Sequence, residues 1–184
     1  SPTPRSVSYT TGRKLTEVDN PGYRPVILSV ENASGARPQV GLNLADIIYE
    51  APVEYSITRL QLVFNDTYPA FAGPLRSSRV YFMRLQQEWK TMYIHRGYGG
   101  PAFEDEWIGV HVESYLMDVD NTQWRDPNRK DVHSLMANVA ESAEKFYGDY
   151  QPEPYERFYF SDAPDVCFPK PFERVALNFL YRGQ

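Results

Sequence analysis

The chain has 184 residues, of which 42% are hydrophobic and 15% aromatic, and a formal net charge of −5. That is enough apolar material for one good core, which excludes a disordered chain, and the acidic balance argues against a nucleic-acid surface. The one cysteine, Cys167, excludes an internal disulfide framework and any cysteine-rich metal site, and no apolar run approaches the roughly 20 residues of a membrane span, so the segment is expected to be soluble.

Residues 1–23 hold three Pro and two Gly without a period and read as a linker or arm. RPVILSVE (24–31) alternates, placing Val26, Leu28 and Val30 on one face of a strand. After a loop at 32–42, residues 44–54 put Ile47, Tyr49, Ala51 and Val53 on one face and Glu50 and Glu54 on the other. ITRLQLVF (57–64) alternates again around Leu60, Leu62 and Phe64, and the short connection predicts an antiparallel hairpin. SSRVYFMRLQQEWK (77–90) has helical spacing, with Ser77 or Ser78 as the expected N-cap and Tyr81, Phe82, Leu85 and Trp89 on one side. TMYIH (91–95) follows as a strand, so strand, helix and strand suggest a crossover unit. RGYGGPAF (96–103) is a glycine loop, and a further strand or two is expected near 107–119. Asp131 is the expected cap of a second helix, 132–147, with a stripe of Val132, Leu135, Met136, Val139, Ala143 and Phe146. YGDYQPEPYE reads as a linker, and RFYF (157–160) and ERVALNFLY (173–181) read as strands that begin a new unit within 151–184. The expected fold is α/β or α+β: a mixed sheet within 24–150 flanked by the two helices.

The cations are uneven in kind, 14 Arg against 5 Lys. Arginine presents a planar fork suited to carboxylate or phosphate. In GPLRSSR (73–79), Arg76 and Arg79 flank a predicted helix entrance, where a positive charge opposes the helix dipole. A compensating anion is expected, either a protein carboxylate, with Glu50 and Glu54 as candidates, or an external ligand held with Ser77. WRDPNRKDVH (124–133) repeats the theme with Arg125, Arg129 and His133 before the second helix, and His95 closes a strand at the glycine loop. The three histidines (95, 111 and 133) lack HxH or HExxH spacing, and Asp118, Asp120 and Asn121 lack the glycine and glutamate of a calcium loop. GxSxG, SxxK, GxxxxGK[ST] and GxGxxG are all absent.

Taken in order, RPVILSVEN, ARPQVGLNLADIIYE, ITR, GPLRSSR, IHRG and WRDPNRKDVH resemble the YerB-like lipoproteins, a bacterial, mostly Gram-positive family with a domain of unknown function. The resemblance covers about residues 24–147. It matches at Arg37, Gln39, Gly41, Asp46, Glu50, Glu54, Arg59, Gly73, Arg76, Ser77, Arg79, His95, Arg125, Arg129 and His133, and departs at Glu31-Asn32, Tyr55-Ser56 and Val132-His133-Ser134. It implies export, a lipid-modified cysteine upstream of this segment, anchoring to the membrane by that lipid alone, and a second, smaller domain after about residue 150. It does not supply a reaction.

Three functions follow as expectations. In the first, Arg37, Arg59, Arg76, Arg79, Arg125 and Arg129 converge with His95 and His133 on one cleft for an anionic cell-envelope molecule or glycopolymer, without a cofactor. In the second, by analogy with glycopolymer transferases of the LytR-CpsA-Psr type, Asp46 or Glu50 holds magnesium while Arg76 and Arg79 stabilise a transferring phosphoryl group. In the third, Tyr93, Tyr98, Phe103, Trp107 and Trp124 form an aromatic patch for an envelope protein partner.

Overall fold

A computed structural model of the protein describes residues 5–97, 99, 115–116, 122–148, 152–154, 158 and 160. Most of the region expected to form a second domain, with His111, Asp118, Asp120, Asn121 and Cys167, lies outside the described residues, as do Tyr98, Phe103 and Trp107.

Val, Ile and Leu dominate β1 (Val26–Glu31), and all six of its residues are buried. Such a strand has to be covered on both faces, as the centre of a sheet is. It pairs antiparallel with β3 (Thr58–Phe64), which pairs antiparallel with β2 (Ile47–Pro52). On its other side β1 runs parallel to β4 (Met92–Ile94), beyond which lies β5 (Tyr115–Leu116). The mixed sheet therefore has the order β2-β3-β1-β4-β5. The expected hairpin is present as β2 and β3. The expected crossover joins β3 to β4 over the top of β1, and those two strands point in opposite directions.

Strand alternation sorts the core into two layers. Val26, Leu28, Val30, Leu60, Leu62, Phe64, Met92 and Ile94 pack against Val139, Ala143 and Tyr147 of α2 (Val139–Tyr147). Ile27, Val63 and Tyr93 pack against Phe82, Met83 and Trp89 of α1 (Val80–Trp89). Trp89 is fully buried, and its loss to alanine would cost about 3–5 kcal/mol. Tyr81, expected on the α1 stripe, instead stays half exposed and donates its hydroxyl to the Pro52 carbonyl, while Met83 and Gln86 take the buried positions.

Both helix starts differ from expectation. Ser77 and Ser78 do not cap α1; Arg79 is the N-cap and makes no side-chain cap bond. The preceding residues are extended because β4 pairs only with residues 26–28 of β1. Pro74–Arg76 occupy the vacated edge, with Glu31 N donating to Pro74 O at 2.9 Å and Arg76 N to Ser29 O at 3.1 Å. The second helix is shorter than 132–147. Residues 131–133 form a 3-10 turn, and Leu135–Ala137 form β7, paired antiparallel with β6 (Gln123–Arg125). The helix begins at 139, where Asn138 Oδ1 accepts Glu141 N at 3.0 Å. That cap fixes the start, and the apolar 135–137 satisfy their backbone in a ladder instead.

The arm also packs. Ser8 donates to Asp66 Oδ1 at 2.5 Å, Thr10 to Asp46 Oδ2 at 2.7 Å, and Tyr23 to the Trp89 carbonyl at 2.8 Å. Among the described residues, no helix is long and apolar enough to cross a membrane.

Candidate functional site

The register of the sheet brings most of the expected site residues to one end. Glu31 closes β1 opposite Arg59, the second residue of β3; β4 runs into His95, and the 74–79 segment passes between them. The loop between β6 and β7 then lays Arg125, Arg129 and His133 over this end.

Glu31, 4% exposed, is the hub. Arg76 reaches it through two nitrogens, Nε to Oε2 at 2.9 Å and Nη2 to Oε1 at 3.1 Å. His133 Nδ1 lies 2.8 Å from the same Oε2. Among the described residues, Arg125 is tied through Nη1, which donates to Asp131 O at 2.6 Å and Ser134 Oγ at 3.1 Å and pairs with Asp131 Oδ1 at 2.8 Å. Between these groups lies a cavity of about 160 Å³ lined by Leu75, Arg76, Arg96, Arg125, Asp131, Val132 and Leu135. Among the described residues, Arg76 Nη1 and Arg125 Nε and Nη2 make no hydrogen bond. The Arg96 side chain is exposed and makes no hydrogen bond among the described residues.

On the far side of the same loop is a more open cavity of about 500 Å³, with Arg37, Arg129, Lys130 and His133 facing Asp126. Here Arg129 is largely consumed: Nη1 donates to Ala36 O at 3.1 Å, Nη2 to Pro38 O at 2.6 Å, and Nε faces Asp126 at 3.4 Å. It staples the 36–38 loop to the 126–129 loop. Arg37 gives one bond, from Nη2 to Asn32 O at 3.1 Å.

Arg59, Arg79 and His95 form a separate group at the start of α1. Arg79 grips Glu54 with Nε at 2.8 Å from Oε1 and with Nη2 on Oε2. These bonds hold the Glu54 carboxyl down at about 2. Arg59 is 6% exposed; Nη1 donates to Ser77 O at 2.6 Å, and Nε has no partner among the described residues. Burial lowers its pKa, and the neighbouring Arg79 adds to the effect. Ser77 thus contributes its carbonyl, not the hydroxyl expected of an N-cap. His95 is 1% exposed, with Nδ1 3.0 Å from Gly97 O and its ring 4.8 Å from that of Tyr93. Burial pushes its pKa down to about 4, so the ring is neutral at pH 7. Beneath it a buried polar row crosses the sheet: Tyr93 donates to Gln61 Oε1 at 2.8 Å, and Gln61 donates to Ser29 Oγ at 3.2 Å.

Asp46 and Glu50 do not join either group. Asp46 precedes β2 at the opposite end of the sheet, about 17–20 Å away at 3.3 Å per residue. Its Oδ2 accepts from Thr10, from Asn65 N at 2.8 Å and from Asp66 N at 3.0 Å. Burial outweighs these bonds, and the Asp66 charge adds to it, so the Asp46 pKa rises to about 6. Glu50 lies on the outer face of β2 and accepts from Thr58 and Asn32. Among the described residues, no group of three or more His, Cys, Asp or Glu is placed to hold a metal ion. Of the aromatic residues expected to form a patch, Tyr93 is buried and Trp124 packs on Phe71 at 5.3 Å.

Sequence reasoning missed Glu31, Arg96 and Lys130. Glu31 was hidden at the end of an apolar strand, where a lone carboxylate reads as an exposed terminus. Arg96 sits beside His95 and Lys130 beside Arg129, so each was legible only as the neighbour of a chosen residue.

Comparison with known proteins agrees with the fold. Residues 10–151 match the domain described as "Protein of unknown function (DUF3048) N-terminal domain". The chain is 35% identical over 125 residues to a protein of Bacillus subtilis (strain 168) named "Putative lipoprotein YerB", an alignment covering 67% of this chain and 36% of that protein. The crystal structure of the YerB protein from Bacillus subtilis superposes with a TM-score of 0.64 at 30% identity, covering 80% of this chain and 51% of that one. The chain thus spans about a third of the curated relative's length and about half of the solved chain. With the family model matching most of its length, the chain belongs to the DUF3048 family and carries that family's N-terminal domain.

Proposed function

We propose that this domain is the ligand-binding part of an extracytoplasmic lipoprotein, and that it holds a phosphate or carboxylate group of a cell-envelope molecule between Arg76, Arg96 and Arg125. The lipoprotein part of the reading comes from the name of the Bacillus subtilis relative. The anion part rests on one observation: among the described residues, three guanidinium groups and one carboxylate, that of Asp131, line a small cavity. Arg76 and Arg125 are already aligned by Glu31 and Ser134, so a bound anion would order little that is not ordered beforehand. Guanidinium forks on a phosphate or carboxylate make charge-assisted bonds about twice as strong as neutral ones.

The test is a titration of the protein with inorganic phosphate and with acetate, followed through the arginine Nε–H signals by NMR. Shifts confined to Arg76, Arg96 and Arg125, with affinity weakened about tenfold by Arg96→Ala, are expected. If those three signals stay unmoved at high anion concentration, the reading is wrong.

A further inference from the structure

We propose that the two basic cavities act as one site for a linear polyanion, a chain bearing phosphate or carboxylate groups at repeated intervals that crosses the 124–133 loop. The inference rests on the anion reading above and names the class of ligand.

The two cavities are linked through one shared carboxylate. Arg76 lines the first and His133 the second, and both bind Oε2 of Glu31, at 2.9 and 2.8 Å. Their sizes are complementary. The cavity of about 160 Å³ is below the roughly 300–1,000 Å³ of ordinary small-molecule pockets and suits one anionic group. The neighbouring cavity of about 500 Å³ has room for more of the same molecule. Each also holds an unspent cation. Arg96 in the first and Lys130 in the second are exposed, and their side chains make no bond among the described residues. A single small anion would leave one of the two idle. In a chain of net charge −5, cations gathered on both sides of one loop are a local feature, set against the overall field. Groups on one ligand chain reach the second cavity at high effective concentration once the first is filled, so affinity rises with chain length.

Isothermal titration calorimetry with inorganic phosphate and with short-chain polyphosphate tests this, at low and moderate salt. Polyphosphate is expected to bind on the order of 100-fold more tightly than phosphate, with a steeper loss of affinity as salt rises. Arg96→Ala and Lys130→Ala should each remove most of that gain while thermal melting stays unchanged, and Lys145→Ala on α2 should keep it. Phosphate and polyphosphate binding equally would overturn the polyanion inference and leave the single-anion reading standing. Binding of neither would overturn both. A gain retained in Lys130→Ala would show that the second cavity takes no part and overturn the inference. Binding to phosphatidylglycerol vesicles without binding to polyphosphate would overturn it in favour of a membrane surface.

Discussion

Glu31 and His133 meet across 102 positions of the chain, Nδ1 of the imidazole lying 2.8 Å from Oε2 of a carboxylate that is almost wholly buried. Arg76 binds the same oxygen, so one acid at the end of β1 fixes both the 74–79 segment and the 131–133 turn. Glu31→Gln is therefore expected to cost about 2 kcal/mol, because the partly exposed Arg76 guanidinium loses its charged partner. His133→Gln should cost less, about 1 kcal/mol. Urea denaturation of the two variants and their double mutant should give a coupling of about 1 kcal/mol; additivity would mean the contact carries no energy.

The imidazole reaches Glu31 only because residue 35 has no side chain. A Cβ on Gly35 would sit 2.8 Å from His133 Nε2. Gly35→Ala should displace the ring and destabilise the fold by about 1–2 kcal/mol. In a His133→Ala background the same change should be nearly neutral, which the same denaturation series will show.

His95 gives stability a pH dependence of definite sign. Its folded pKa, about 4, lies below the ordinary 6.5, so the unfolded chain takes up the proton first. The stabilisation is complete above about pH 6.5 and is lost as pH falls toward 4, by up to about 3 kcal/mol. His95→Gln should flatten this limb of the stability profile. A wild-type curve unchanged by the substitution between pH 7 and 4 would contradict the burial argument.

Asp46 works in the opposite sense. Its carboxyl, raised to about 6, binds a proton in the folded protein over a range where the unfolded chain has released it. This contribution is present in full below about pH 4 and disappears as pH rises through 6. Asp46→Asn, with an amide oxygen still able to accept from Thr10 and the backbone, should lose stability relative to wild type on acidification from pH 7 to 4. The two variants should diverge from wild type in opposite directions across one pH window.

The β2–β3 turn stores strain without packing to offset it. Tyr55 and Ser56 both have φ of 59°, and Tyr55 is 94% exposed. Replacing the pair with Asn-Gly, which adopts such a turn at low cost, should raise stability by about 1 kcal/mol and the melting temperature with it.

Alternation in 24–31 and 57–64, together with the short turn between 44–54 and 57–64, determined the hairpin and the central strand, because a period of two is a local property of a half- or fully buried strand. The helical stripe of 80–89 was local in the same way. The stretch 132–137 was not. Leu135, Met136 and Ala137 suit a helix or a strand equally, and it is pairing with Gln123–Arg125 that makes them a strand. Likewise, Ser77 and Ser78 look like caps, but the edge of β1 left open beyond β4 draws their neighbours into extended pairing. The choice of arginines with His133 in 124–133 could be read from residue types alone. Which of them share a cavity could not, because that depends on strand register: it sends Asp46 to one end of the sheet and Glu31 to the other, and no spacing along the chain encodes that distance.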